Sequence, residues 1–214
     1  MRTALRLAAA LAVALTIGPV LQAASTVVYN NLGPNDSYSN QGMAIGNAGS
    51  NTFAWGGNFQ PSSGGNLSDL WLPMFTAVYP ADPLVLSLRA DSAGLPGTVL
   101  WSETVTDGLP LSDSVFHLDI IGGPLLSAGT RYWLTAEGTS TPFHFVNWHD
   151  SGIGEIGMVA QSMNGGAWQV FGGSQTPGMK VGVVPEPSVL VLLGMGVLGL
   201  VGWVWRRKGL RARD

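Results

Sequence analysis

His117, His144 and His149 are the three imidazoles in this 214-residue chain. They are the only imidazole bases open to a serine nucleophile, which needs an adjacent base; paired carboxylates for glycoside hydrolysis would need two acids converging from distant strands. The chain has no Gly-x-Ser-x-Gly elbow, and its lack of cysteine removes thiol nucleophiles and thiolate metal sites. His149 is followed by Asp150, an acid able to orient a base, but sequence neighbours rarely meet in triad geometry. His117 stands between Phe116 and Leu118 and reads as a residue on one face of a strand. The expectation is a protein that is not an enzyme.

Two kinds of binding chemistry are also encoded. Asp36 and Asp91 lie in turns rich in Asn, Gly and Ser, and offer the hard oxygen ligands that calcium takes. No EF-hand loop surrounds either, and Asp in such turns more often holds backbone N–H groups. No metal centre and no cofactor are therefore expected, structural calcium being the alternative. The second chemistry is aromatic. Six tryptophans fall between residues 25 and 184, namely Trp55, Trp71, Trp101, Trp133, Trp148 and Trp168. Exposed indoles stack on the apolar faces of sugars, whereas buried ones fill cores. Trp55, Trp148 and Trp168 lie near glycine-rich turns and are the candidate sugar-stacking residues. Trp101 and Trp133 sit inside alternating strands and are expected to pack.

The elements that must position these residues read as short strands. Thr26 to Asn30 opens the series, followed by a turn-rich stretch to Gly42. Phe53 to Phe59 reads as a strand with a bulge or tight bend at Gly56-Gly57, and Leu67 to Val78 as a strand broken or bulged at Pro73 rather than a helix. Leu84, Leu86 and Leu88 alternate with Val85, Ser87 and Arg89, then a turn at Asp91 to Gly97 leads into Thr98 to Thr106. Val115 to Ile121 and Leu125 to Gly138 alternate again, and Phe143–Trp148, Gly157–Met163, Ala167–Phe171 and Lys180–Val184 complete the set. No stretch between the two ends sustains a helical period. The class is all-β, with eight to ten strands arranged as a jelly-roll-like β-sandwich.

Charge narrows the partners. Between residues 25 and 184 three cations, Arg89, Arg131 and Lys180, face eleven acids, a net of −8. Such a surface repels phosphate backbones, and nucleic acid is excluded as a partner.

Both ends read as addresses. Arg2 and Arg6 precede an apolar run from Leu7 to Ile17, and small residues follow around Ala23 and Ala24, the pattern of a secretory signal peptide spanning 1–24. At the other end, Val184-Pro185-Glu186-Pro187 precedes an uncharged apolar run from Val189 to Trp205. Seventeen residues make a helix of about 25 Å, near the minimum for a bilayer core. Arg206, Arg207 and Lys208 begin a basic tail that extends to Arg213, which stops transfer and places the C-terminus in the cytoplasm. Residues 25–183 are left as one exported domain.

That ordered tail, residues 184–214, resembles the PEP-CTERM sorting signal of Gram-negative bacteria. The resemblance implies recognition by exosortase, a membrane-embedded cysteine enzyme, with Glu186 between its two prolines as the recognition element. It implies transient anchoring in the inner membrane through the C-terminal helix, then release to the cell surface or extracellular matrix beside exopolysaccharide. Asp91 to Leu100, Leu126 to Gly138 and Tyr29 to Ser39 are in turn similar to the choice-of-anchor β-sandwich domains of bacterial surface proteins, type R. No ligand or catalytic residue is established for those domains, so none carries over. Together these readings describe an exported structural or adhesive protein of the surface or biofilm matrix. A carbohydrate-binding module is the first alternative and a secreted hydrolase the second.

Overall fold

The computed structural model describes residues 24–48, 51–76, 83–138 and 145–186. The signal peptide up to Ala23, His144, Pro187, the apolar run and the basic residues Arg206, Arg207 and Lys208 lie outside the described residues. Among the described residues the regular structure is thirteen strands and one short 3-10 turn at Pro34–Asp36.

The strand with the clearest alternation is β5 (Leu84–Ser92), which buries Leu84, Leu86 and Leu88 completely. It turns into β6 (Leu95–Val105) through Ala93 and Gly94, with φ of 54° and 84°. Two residues at positive φ make a type I′ loop, whose twist matches that of the paired strands. The strands thus run deep into the segment that reads as a turn in the sequence, and only two residues remain as loop. On its other edge β5 pairs with β9 (Tyr132–Gly138), which pairs with β3 (Asn51–Phe59). Beyond β3 come β11 (Ile156–Met163) and its hairpin partner β12 (Gln169–Gln175).

The other half is built on β4 (Gly65–Thr76), which Pro73 does not break. Residues Asn66 to Trp71 pair with β13 (Lys180–Val184), and Met74 to Thr76 pair with β10 (Phe145–His149). Pro73 stands where β4 passes from one partner to the next, so its missing N–H interrupts neither ladder. β1 (Thr26–Asn30) flanks β13, while β7 (Val115–Asp119) and β8 (Leu125–Leu126) line β4. β10 continues to β2 (Gly42–Ala48), and β2 joins the first residues of β3.

All strands therefore join in one antiparallel network with the path β1-β13-β4-β10-β2-β3-β9-β5-β6. The all-β class expected from the sequence is present; its form is a curled sheet, a half-barrel. Curling lets the inner faces of both halves share one core, with Leu70, Leu72 and Met74 of β4, Val181 and Val183 of β13, and Leu134 of β9 all sealed from solvent. Each such side chain contributes about 1.5–3 kcal/mol. Strand number exceeds the expected eight to ten: all eleven stretches read as strands are present, and β2, rich in Gly and Asn, and the two-residue β8 carry no alternating signal.

Gly56 and Gly57 do not form the expected bulge: β3 stays in register with both β9 and β11 through them. Their role is close approach. A Cβ on Gly57 would lie 2.8 Å from the Pro177 ring and 2.9 Å from the Met179 methyl, and one on Gly56 would meet Thr135 at 2.8 Å. A bulge does occur in β4, where Asp69 pairs with Gly182 and Leu67 with Val183, leaving Ser68 as the extra residue. It reverses the alternation and sends Asp69 outward beside Trp71.

Candidate functional site

Strand register assembles a groove of about 580 Å³ on the β3–β11–β12 part of the sheet. Trp55 lies opposite Gln161, Gly57 opposite Val159, and Val159 opposite Phe171, so these side chains share one face. Trp55 is pinned by its indole N–H, which donates to the Ala44 carbonyl at 3.0 Å and leaves the ring along the groove wall. Phe171 is 42% exposed, unusual for a phenylalanine in a strand. Gln41, Gln161, Ser174 and Gln175 supply polar lining. Gln175 is steadied by a bond from its amide nitrogen to the Ser151 carbonyl, 3.1 Å.

Asp150 closes one end. Its backbone is tied on both sides, its N–H donating to Gln41 O at 2.9 Å and its carbonyl accepting from Ser39 N at 3.1 Å. The side chain is buried, and Oδ1 has no hydrogen-bond partner within the protein. Burial pushes this carboxyl up to about 6, although neighbouring His149 pulls the other way. A groove with two aromatic walls, several carboxamides and a carboxyl short of partners suits a ligand that is apolar on its faces and rich in hydroxyls at its edges.

The three candidate tryptophans part company. Trp55 lines the groove. Trp168 is half-buried beneath Arg89, whose guanidinium carbon is 5.5 Å from the ring centroid. Arg89 is held there by Glu137 at 2.8 Å and Thr135 at 3.2 Å. Trp148 corrects the expectation. It is fully buried, and its indole N–H donates to the Gly178 carbonyl at 2.8 Å. Its position in β10, between β2 and β4, puts it in the core despite its nearness in sequence to a turn.

Trp133 is buried as expected, donating to Asp91 Oδ1 at 2.8 Å, and Trp101 packs partly against the core. Asp91 Oδ2 also accepts from Gly94 N at 3.1 Å, so this carboxylate braces the hairpin turn. Asp36 pairs with Lys180 at 2.7 Å. Among the described residues neither acid belongs to a group of three ligating side chains.

His149 and Asp150 look different ways. His149 is buried between Tyr38 and Phe75, with ring centroids 5.0 and 5.4 Å away, and meets Asp113 at 3.3 Å. His117 is exposed on β7 as its alternation implied. Sequence reasoning missed Phe171, Gln161 and Gln175. A usable signal was present for one of them: Gln161 alternates in phase with Val159, an amide on the apolar face of its strand.

The chain leaves the sheet at Val184, opposite Asn66, and Pro185 and Glu186 follow as exposed, non-repetitive backbone. Residues 183–208 match the PEP-CTERM protein-sorting motif. The tail is a PEP-CTERM sorting motif. That motif means export, processing by exosortase and sorting to the cell surface. Its matched region begins inside β13, since Val183 is a fully buried strand residue. No curated protein sequence matches the chain.

Proposed function

We propose that the exported domain is a non-enzymatic, adhesive component of the cell surface or its matrix that holds polysaccharide in the groove at Trp55. The observation that carries this reading is the pairing of Trp55 and Phe171 with a row of carboxamides in one open groove. A net of −8 between residues 25 and 184 favours neutral polymers over acidic ones. The non-enzymatic part is supported by His149, whose ring is packed between aromatics and turned to Asp113 while Asp150 lines the groove. The similarity of the domain to choice-of-anchor surface modules points the same way. Its partners are exosortase and the inner membrane before processing, and exopolysaccharide afterwards.

Affinity electrophoresis of the mature protein through gels containing neutral polysaccharides tests the groove. Retardation is expected for the wild type and for Trp168→Ala, and loss of it for Trp55→Ala. Free migration of the wild type in every polysaccharide, together with normal matrix in a deletion strain, rules the adhesive role out. Sorting is tested separately: Glu186→Ala holds the full-length form in the inner membrane, and normal maturation of that variant would remove the recognition role from Glu186.

A further inference from the structure

The geometry points to a divalent transition-metal site formed by Asp69, His117 and Asp119, on the outer face of the β4–β7 pair and away from the groove. One ligand atom from each of these side chains lies within 4.8 Å of the others. Nε2 of His117 is 3.3 Å from Asp69 Oδ1 and 3.5 Å from Asp119 Oδ1. Zinc binds nitrogen and carboxylate oxygen at about 2.0–2.2 Å, so the edge of a tetrahedron around it is about 3.3–3.6 Å. The spacing fits such an edge and is long for an ordinary charge-assisted hydrogen bond.

Strand pairing supplies an independent argument. Asp69 lies directly opposite Asp119 across an antiparallel ladder. Two like charges in that relation destabilise a sheet unless a cation sits between them. The Ser68 bulge is what brings Asp69 to this face, so the local backbone is bent to create the juxtaposition. Lys180 on neighbouring β13 does not relieve it, being drawn over the Trp71 ring at 4.7 Å and bonded to Asp36.

Both inner ligands are already aimed. Ser68 Oγ donates to Asp69 Oδ2 at 2.6 Å, leaving Oδ1 toward His117, and the His117 ring stacks on Trp71 at 4.6 Å with an interplanar angle of 4°. Such outer contacts fix the orientation of metal ligands. Imidazole between two carboxylates selects a zinc-like ion over calcium, which takes oxygen. Three protein ligands leave a fourth position for water. The site shares no residue with the groove or with the sorting tail, so it stands apart from the adhesive reading.

The test uses the protein isolated from its producing cells, stripped with chelator and titrated with zinc by calorimetry near neutral pH, with cobalt as a spectroscopic substitute. One equivalent of zinc is expected to bind and raise the melting temperature, and cobalt to give ligand-field bands of a nitrogen–oxygen site. His117→Gln and Asp119→Asn alter exposed residues and fold; Asp119→Asn raises the metal-free melting temperature by removing one of the opposed charges, while zinc affinity falls by at least about tenfold in each. Binding that survives both substitutions overturns the proposal. So does a wild type that takes up no zinc.

Discussion

Trp55 and Trp148 are the same residue type beside similar turns, yet their substitutions are expected to have opposite signatures. Trp148→Ala empties a sealed core position and strands the Gly178 carbonyl that its indole satisfies, so it costs about 3–5 kcal/mol in denaturant unfolding. Trp55→Ala removes a half-buried ring and its bond to the Ala44 carbonyl, so it costs less than Trp148→Ala, about 1–2 kcal/mol, and its distinguishing loss appears in glycan retention. Asp150 carries a pH signature of its own. Its folded value of about 6 lies above the ordinary carboxyl value of 3.8, so the folded chain retains a proton that the unfolded chain releases. Stability contributed through this group is full below about 4 and declines as pH rises through about 6. Melting temperatures measured across that window should fall with pH at this group's expense, and Asp150→Asn should flatten the decline. Little of this was legible in the sequence. The types that stack on sugars were visible, but their exposure depends on which strands flank them, and β10 lies between β2 and β4 through pairings distant in sequence.

Elements with a strong local pattern were read well. β5 shows its buried leucines by alternation alone, and the exposed His117 and Asp119 of β7 follow from the same period. Elements whose form is decided by partners were not. Pro73 looks like a strand breaker until β4 is seen changing partners there, and Gly56-Gly57 looks like a bulge until Pro177 and Thr135 are seen resting on it. The β5–β6 turn offers a test of local reasoning. Ala93 holds a φ of 54° in a type I′ loop where Asn-Gly is the favoured pair. Ala93→Asn is expected to stabilise the protein by about 1 kcal/mol in chemical denaturation, because Asn tolerates the left-handed region that Ala resists. A Val at the same place should do the reverse.

At the scale of the molecule, the address was legible and the use was not. The sorting tail is a continuous string whose order of proline, apolar and basic residues survives without any tertiary contact. The groove takes residues from β2, β3, β11, β12 and the segment around Asp150, and no linear pattern announces such a meeting. The two ends of the domain illustrate the same dependence. A chain ending after Glu186 retains every described strand and is expected to resist proteolysis as the full chain does. One ending after Gly178 lacks β13 and leaves β1 and β4 without their shared neighbour. It should be rapidly degraded and lose its near-ultraviolet dichroism.

The location of β13 also has a temporal meaning. The opening strand crosses the membrane first and waits through the whole remaining length for Lys180–Val184 to slot between it and β4. Pro185 comes immediately afterwards. Maturation at the tail is thereby placed one step behind the closing of the sheet, so a body whose last strand has not docked would present its processing enzyme with a loose valine pair instead of a rigid shoulder.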